Sequence, residues 1–122
     1  MPVLTETQAT RTFDAPDETR RFADGKSDVL SIGELTLSRT VFEPGWRWSK
    51  SVKPIVGGES CQVRHIGYLV SGHLHSVMDD GTEADAVAGD VVLIPPGHDG
   101  WTVGDEPAIL LQIVGAAEYA KK

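Results

Sequence analysis

The sequence lacks the features that mark several common classes of protein. It has one cysteine in 122 residues, so no internal disulfide can form, and a free thiol fits a reducing cytoplasm. No apolar run approaches the roughly 20 residues of a membrane-spanning helix, and the N-terminal stretch lacks the basic and apolar regions of a secretory signal. Basic residues are few and scattered, 11 against 18 acidic ones, which disfavours a nucleic-acid surface. We therefore expect one cytoplasmic domain whose partners are small molecules or a second copy of itself.

The pattern that is present is one of short strands separated by turns. Val29 to Phe42 alternates apolar and polar residues, and Gly33 breaks the phase, which predicts two strands. Ile66 to Met78 predicts two more, broken at Ser71-Gly72 and followed by an Asp-Gly hairpin turn. Many short strands with no competing long helix predict an all-β sandwich or barrel. Further strands are expected at Glu83 to Val87, Asp90 to Ile94, Trp101 to Val103 and Ala108 to Val114.

The two ends of the chain are less regular than its middle. We expect residues 1–28 to form an N-terminal arm that is first extended and then, from Asp14 to Phe22, folded as a short helix or a tight turn. The barrel is predicted over residues 29–114, with a loop at its rim from Ser49 to Gly58. Residues 115–122 are predicted to be a tail or a single helical turn.

One stretch gathers possible metal ligands. If Glu59 to Tyr68 is extended, its period of two places Glu59, Cys61 and His65 on one face. A second stretch, GDVVLIPPGHDGW, places His98 at the turn where a short apolar strand ends. Imidazole nitrogens and a thiolate suit zinc, iron or nickel, and a thiolate favours zinc or another thiophilic metal. The sequence therefore predicts a metal site formed by His65, His98, Cys61 and Glu59.

Residues 33–114 resemble the small single-domain cupins. His65 is followed by six residues and Gly72, as the glutamate of the first cupin motif is, and the paired histidines of that motif would fall near Glu59 and Cys61. The second motif is matched by Gly89, Pro95, Gly97 and His98, although the family's histidine usually stands two residues later, where this chain has Gly100. The chain also resembles small bacterial cupin-domain proteins with PGWRWS, a Cys-x3-His step and a PPGHD turn. The resemblance implies a cupin-type double-stranded β-helix, a jelly-roll barrel, and a homodimer.

Cys61 has three possible roles: a metal ligand, a nucleophile with His65 as base, or a small buried core residue. On a regular strand Cys61 and His65 would lie about 13 Å apart. Proton transfer between them, or binding of one metal by both, therefore requires a bend near Val63.

Aromatic residues form a second candidate group. They are either core, with each Trp N–H paired, or the wall of a pocket in the barrel mouth, where Arg47, Arg64 or Lys53 would meet a carboxylate. The predicted pocket residues are Trp46, Trp48, Tyr68 and Trp101.

Three polar residues near these groups receive more ordinary roles. His73 and His75 form a His-x-His pair. Leu74 and Met78 are expected to point inwards, so the two histidines, which alternate with Leu74, should face away from the barrel centre. Asp99 either orients the His98 ring or, as we expect, caps the turn.

The sequence supports two functional hypotheses from different classes. The first is a metal-binding cupin-domain protein with a small-molecule site in the barrel, whose metal polarises a carbonyl, activates water or, as iron, binds dioxygen. The sequence does not choose among these reactions or decide whether the protein is an enzyme. The alternative is a metal-free module that binds or senses a small molecule. A purely structural role is disfavoured because a bare scaffold needs no paired inward histidines.

Overall fold

The computed structural model describes residues 6–121, so the first five residues of the predicted arm and Lys122 lie outside the described range. The described chain folds into nine strands and two single-turn helices. In chain order these are β1 (Glu18–Phe22), β2 (Gly25–Ile32), β3 (Leu35–Phe42), α1 (Trp48–Ser51), α2 (Lys53–Val56), β4 (His65–Ser71), β5 (His73–Met78), β6 (Glu83–Val87), β7 (Val91–Ile94), β8 (His98–Thr102) and β9 (Ala108–Val114).

The strands form two antiparallel sheets. A six-stranded sheet has the order β1-β2-β3-β9-β4-β7, and a three-stranded sheet has the order β6-β5-β8. The chain passes from the first sheet to the second between β4 and β5, at Gly72. Gly72 has φ +85°, and a side chain there would meet the backbone of Pro107 and Ala108, so glycine is required on both grounds. The all-β barrel expected from the sequence is confirmed.

The inner face of the larger sheet carries both the core and a line of polar residues. In β4 the buried residues alternate with exposed ones, so His65 and Leu69 point inwards while Tyr68 points outwards. The apolar core is an aromatic and aliphatic cluster that includes Phe22, Phe42, Trp46, Leu69, Leu110 and Tyr119. The inward polar residues Ser27, Thr40 and Gln112 lie on neighbouring strands beside this cluster.

Three local predictions differ from the structure. The acidic stretch before Phe22 contains a turn but no helix, because residues 18–22 pair with β2 as strand β1. The sheet consequently begins at Glu18 and β2 at Gly25, within the segment predicted as an arm. The predicted rim loop contains the two helical turns α1 and α2 instead, with Pro54 in the first turn of α2, where proline is tolerated.

The C-terminal residues form a turn that packs into the barrel. Tyr119 N–H donates to the Gly115 carbonyl at 3.0 Å, and the Tyr119 side chain is only 2% exposed. The helical-turn alternative therefore describes this segment better than a frayed tail. Neither α1 nor α2 has the length or the hydrophobicity to cross a bilayer, and these are the helices found in residues 6–121.

Candidate metal centre

Cys61, His65 and His98 converge inside the barrel. One ligand atom from each residue lies within 4.8 Å of the corresponding atoms of the other two. All three side chains are buried, with exposures of 2%, 5% and 6%. Convergence of a thiol and two imidazoles in a buried site is the arrangement that the sequence predicted for a metal centre.

The bend required near Val63 is present. Strand β4 begins only at His65, and Cys61 instead pairs with His98 through an isolated antiparallel bridge. Cys61 N–H donates to the His98 carbonyl at 2.7 Å, while the N–H groups of Gly97 and His98 donate back to the Cys61 carbonyl. Because this bridge holds Cys61 out of the line of β4, its Sγ lies 3.7 Å from Nε2 of His65.

Each histidine has one ring nitrogen committed and the other available. Nδ1 of His65 lies 2.7 Å from Oε1 of Gln112, and Nδ1 of His98 lies 2.7 Å from the Pro95 carbonyl oxygen. Since a carbonyl oxygen can only accept, Nδ1 carries the proton in both rings. Nε2 of each ring therefore carries a lone pair. That of His65 accepts from the Cys61 thiol at 3.7 Å, and a metal that deprotonates the thiol would take the place of this proton.

A buried chain of hydrogen bonds fixes the orientation of the His65 ring. Gln112 accepts from His65 with its oxygen and donates with its Nε2 to Oγ1 of Thr40 at 3.1 Å. Thr40 Oγ1 in turn lies 2.9 Å from the Ser27 hydroxyl. In this orientation of the Gln112 amide, the chain places the proton of the His65 ring on Nδ1.

Burial keeps all three candidate ligands uncharged. Desolvation lowers the pKa of His65 to about 4 and also lowers the pKa of His98. It raises the pKa of the Cys61 thiol to about 11. Near neutral pH the two imidazoles are therefore ready to ligate, whereas the thiol must lose its proton when a metal binds.

The donor set fits a tetrahedral zinc ion. With Zn–S of about 2.3 Å and Zn–N of about 2.1 Å, tetrahedral ligands place sulfur and nitrogen about 3.6 Å apart. The observed separation between Cys61 Sγ and His65 Nε2 is 3.7 Å. Three protein ligands leave one tetrahedral position open, which is the pattern of catalytic rather than structural zinc sites.

Glu59, the fourth predicted ligand, does not join this group. It lies in the exposed segment after α2 and is not part of the cluster that the described residues form. The prediction of Glu59 as a ligand assumed that the strand extended back to residue 59. The strand starts at His65, and Gly57 and Gly58 both adopt positive φ, so the face shared by Glu59 and His65 does not exist.

A cavity of about 470 Å³ opens beside the two histidines. Trp46 and Trp48 line it, as predicted, and both are largely buried. Tyr68 and Trp101 were wrongly predicted to line it. Tyr68 lies an odd number of residues from His65 in β4 and so faces outwards, where it is 43% exposed. Trp101 lies three residues after the inward-facing His98 in β8, so its side chain also points outwards.

Trp101 packs on the outer face of the smaller sheet. The Arg47 guanidinium lies 4.1 Å from the centre of its ring, and the His75 ring lies 4.7 Å away. None of the cations expected to meet a carboxylate, Arg47, Arg64 and Lys53, lines the cavity.

The outer pair His73 and His75 is held by acidic residues of β6. Nδ1 and Nε2 of His75 lie 2.9 and 2.7 Å from carboxylate oxygens of Asp85 and Glu83, and Nε2 of His73 lies 2.7 Å from Asp85. These hydrogen bonds raise the pKa of His75. The pair faces away from the barrel centre, as the phase of β5 predicted.

Asp99 stabilises the turn and does not orient the His98 ring. Its Oδ1 accepts from the N–H groups of Ser49 and Gly100 at 3.1 and 2.8 Å. The Nδ1 of His98 is bonded to the Pro95 carbonyl instead, so the capping role is the correct one.

Two residues at the site were not predicted. Gln112 follows the inward residues Ala108 and Leu110 of β9 at a spacing of two, so the sequence places a polar residue at an inward position. A buried polar residue needs a hydrogen-bond partner, and this could have indicated its role. Tyr119 lines the cavity, and its ring centre lies 5.3 Å from that of His65. Nothing in the period of the C-terminal segment indicates this contact.

No protein-family profile matches the sequence, and no curated protein matches it. Solved structures do match. A cupin 2 conserved barrel domain protein from Salinispora arenicola CNS-205 is 22% identical, with a TM-score of 0.61 over 88% of each chain. An RmlC-like cupin from Shewanella frigidimarina NCIMB 400 is 16% identical, with a TM-score of 0.57 over 91% of this chain and 95% of that one.

The oxalate decarboxylase of Lactobacillus farciminis is 22% identical over 84% of this chain, with a TM-score of 0.58. The present chain spans only 32% of the length of that enzyme. At these identities the similarity defines the fold alone. The chain therefore has the cupin fold, an all-β jelly-roll barrel. Within that fold it has a buried candidate metal group made of one cysteine and two histidines.

Proposed function

We propose that this protein binds one transition metal ion through Cys61, His65 and His98 and uses it on a small molecule in the adjoining cavity. The observation that supports this proposal best is that both histidines have Nδ1 bonded to an oxygen acceptor, while one ligand atom of each residue lies within 4.8 Å of those of the other two. Metal-ligating histidines are held in the same way, with the second ring nitrogen bonded to an oxygen acceptor.

Zinc is the metal that the donor set favours. A thiolate and two imidazoles are softer ligands than the carboxylates that suit magnesium or manganese, and the group contains no carboxylate. The separation of Cys61 Sγ and His65 Nε2 matches tetrahedral coordination. Iron and nickel accept the same donors and are the outcomes to be distinguished by elemental analysis.

When bound, zinc would supply a Lewis acid that polarises a carbonyl or lowers the pKa of a water molecule. The residues of the chain would do the rest. Gln112 and the Pro95 carbonyl hold the two rings in one tautomer. Trp46 and Trp48 form an apolar wall that excludes water from the ligands.

The role of Cys61 as a free nucleophile is disfavoured. A nucleophilic cysteine needs a lowered pKa, and burial raises the pKa of Cys61 to about 11. His65 is a poor base as well, because its pKa is lowered to about 4. A bound metal would deprotonate the thiol directly, so Cys61 and His65 can act as ligands without a low thiol pKa or a basic histidine.

The proposal includes a homodimer in a reducing compartment such as the cytoplasm. Apolar side chains on the outer face of β4, β7 and β9 are exposed next to one another, and an unpaired apolar face of this kind marks an interaction surface. Equilibrium sedimentation tests it: wild type should be dimeric, and Ile113→Glu, on the same face and outside the cavity, should give monomers. These exposed residues are Tyr68, Val70, Val91, Leu93 and Ile113.

We also propose that the chain groups with small bacterial cupin-domain proteins that carry PGWRWS and PPGHD. The segments from Pro44 to Ser49 and from Pro95 to Asp99 support this grouping. The second segment contains His98 and the first contains both cavity tryptophans, so the two motifs coincide with the candidate site.

Elemental analysis by mass spectrometry on tag-free protein tests the metal proposal. After loading with zinc and removal of excess metal, wild type should retain about one ion per chain. His65→Ala and Cys61→Ala should retain little, whereas His73→Ala, the matched control on the next strand, should retain the wild-type amount. Stoichiometric metal in His65→Ala would refute the proposal. Folded wild type that takes up no metal would favour the alternative, a metal-free module that binds a small molecule in the same cavity.

A further inference from the structure

A second cavity, of about 330 Å³, reaches the candidate metal ligands by a different route from the first. Cys61 lines this second cavity, whereas His65 and His98 line the first. Trp48 and Tyr119 line both cavities, so these two side chains form the partition between them. The ligand group therefore lies where the two cavities adjoin, with its thiol on the side of the second one.

The outer wall of the second cavity includes the C-terminal turn, residues 115–121. Gly115 begins this turn with φ +96°, and a side chain there would meet the carbonyl oxygen of Arg64 and the ring of His65. Only glycine allows both the conformation and the close approach. The chain therefore leaves β9 directly beside His65, and residues 118–121 then line the second cavity next to Cys61.

One side chain supplies the hydrogen bonds that attach the turn, beyond Gly115, to the rest of the described chain. Nη1 of Arg20, in β1, donates to the carbonyl oxygens of Ala116, Ala117 and Tyr119 at 3.3, 2.9 and 2.8 Å. Glu18 holds the guanidinium in place through its Nε and Nη2 at 2.9 and 3.1 Å. The backbone hydrogen bonds of the turn connect its own residues. Arg20 is therefore the latch of the turn.

Two local features oppose this closed position. Ala120 has φ +54°, in the left-handed region that residues with a side chain rarely adopt. The Tyr119 hydroxyl is buried with no hydrogen-bond partner in the described chain, and it would meet water if the turn lifted. The Tyr119 ring favours closure, because it packs edge-on against Phe22 and Phe42 with ring centres 5.9 and 6.2 Å away. The closed position is thus a balance in which Arg20 has a large share.

We propose that the C-terminal turn is a lid over the metal centre, which Arg20 latches shut and which opens to admit the ion to Cys61 through the second cavity. The metal part of this inference rests on the proposed function. Folded proteins open locally in segments that few contacts hold, and the free energy of opening sets how often a buried group is reached. Lifting the turn removes the wall formed by residues 118–121, while Gln112 and the Pro95 carbonyl still hold the two histidine rings.

Modification of the Cys61 thiol tests the lid in metal-free protein. Cys61 is the single cysteine of the sequence, so a thiol reagent reports its exposure alone. The rate of reaction with N-ethylmaleimide is measured at one pH in chelator-treated wild type, Arg20→Gln and Arg21→Gln. Arg21 is the matched control, because it is the next residue of β1 and its side chain is exposed. Arg20→Gln should react about 10- to 100-fold faster than wild type, the range for lost hydrogen bonds to a charged group, and Arg21→Gln should react at the wild-type rate.

The urea dependence of the rate separates opening of the lid from unfolding of the whole domain. Local opening exposes little surface, so the rates of wild type and Arg20→Gln should change little in low urea. A wild-type rate that rises with urea as steeply as global unfolding would overturn the proposal, as would equal rates in the two arginine variants.

Ala120→Gly tests the lid from the opposite direction and without the latch. Glycine adopts φ +54° without strain, so the closed position should be favoured and Cys61 should react several-fold more slowly than in wild type. A faster reaction in Ala120→Gly would contradict the lid.

Transfer of zinc from loaded protein to excess chelator tests the metal route separately. Release should be faster from Arg20→Gln than from wild type by a factor similar to that of thiol modification, and Arg21→Gln should release at the wild-type rate. An unchanged release rate in Arg20→Gln would overturn the metal route. A protein that takes up no zinc would refute the proposed function, whereas faster thiol modification in its Arg20→Gln variant would still support the lid.

Discussion

The protein contains two pairs of histidines in opposite settings. His65 and His98 are buried, and their Nδ1 atoms are hydrogen-bonded to an amide oxygen and a backbone carbonyl oxygen. Burial lowers both of their pKa values. His73 and His75 lie on the outer face of the smaller sheet against Asp85 and Glu83, and the pKa of His75 is raised. The residue type is the same, but the partners of the ring nitrogens differ.

This difference shows why the His-x-His pattern is the weaker metal signal here. His75 has both ring nitrogens committed to carboxylates, which favours the doubly protonated ring with no lone pair to donate. His65 has one nitrogen committed to an amide oxygen, so the other keeps its lone pair. Metal binding therefore depends on which acceptor each ring meets, and the spacing in the sequence does not reveal that.

The largest expected effect is on stability with and without metal. Zinc at a thousand times its dissociation constant should raise the free energy of unfolding of wild type by about 4 kcal/mol, because it binds only the folded state. Denaturant unfolding with zinc or with a chelator measures this. His98→Ala should show almost no zinc effect, and His75→Ala should show the full effect. If zinc stabilised His98→Ala as much as wild type, His98 would not be a metal ligand, and the outer histidine pair would become the candidate site.

The second prediction concerns the opposite pH dependence of the two pairs. Because the pKa of His65 falls from 6.5 to about 4 on folding, its contribution to stability is present above pH 6.5 and is lost as the pH falls towards 4. In chelator-treated protein this loss should amount to about 2 kcal/mol between pH 7 and 4.5. His65→Gln should remove that part of the decline. Parallel curves for His65→Gln and wild type would contradict the buried, neutral state of His65.

His75 should behave in the opposite way. Its pKa is raised on folding, so its contribution is present below pH 6.5 and is lost as the pH rises through the raised value. His75→Gln should therefore lose stability mainly at acidic pH. Unfolding curves at pH 5.5 and pH 8.5 measure the difference, and a larger loss at pH 8.5 would contradict the ion pairs with Asp85 and Glu83.

The third prediction is the number of protons released when metal binds. His65 and His98 are neutral at pH 7 and release none, whereas the Cys61 thiol, with a pKa of about 11, must release one. Calorimetric titration of zinc in buffers with different ionisation enthalpies should give about one proton per ion. Cys61→Ala should bind more weakly and release close to none. Two or more protons in wild type would show that the histidines start in the charged form.

The smallest expected effect concerns the surface pair. His75→Ala should cost about 0.5–1 kcal/mol at neutral pH and low salt, since exposed ion pairs contribute little. The cost should fall in high salt because screening weakens the interaction with Glu83 and Asp85. A loss as large as that of a core substitution would show that this cluster supports the fold.

The sequence predicts most of the strands and all three residues of the proposed ligand group, together with Glu59, which lies outside it, because both follow local rules. Period two and turn residues place strands such as β6 and β9, and motif spacing places His65 and His98. Even the need for a bend after Cys61 follows from strand dimensions. The exception is β1, whose acidic residues are typical of a helix start. It becomes a strand because β2 offers it a partner.

The errors in the site arise from contacts that no local period encodes. Glu59 was assigned to a strand face that ends at His65, and Tyr68 and Trp101 were grouped by residue type although their phase points outwards. Tyr119 comes from the last turn and reaches the site only through tertiary packing. Consequently the sequence predicts the metal ligands better than it predicts the cavity.

X-ray absorption spectroscopy at the zinc edge of zinc-loaded protein tests the central claim most directly. The account predicts one sulfur at about 2.3 Å and imidazole nitrogens at about 2.0–2.1 Å, since Cys61 ligates together with His65 and His98. Cys61→Ala should lose the sulfur shell. A first shell of nitrogen and oxygen alone in wild type would contradict the account and move the metal to His73, His75 and their carboxylates.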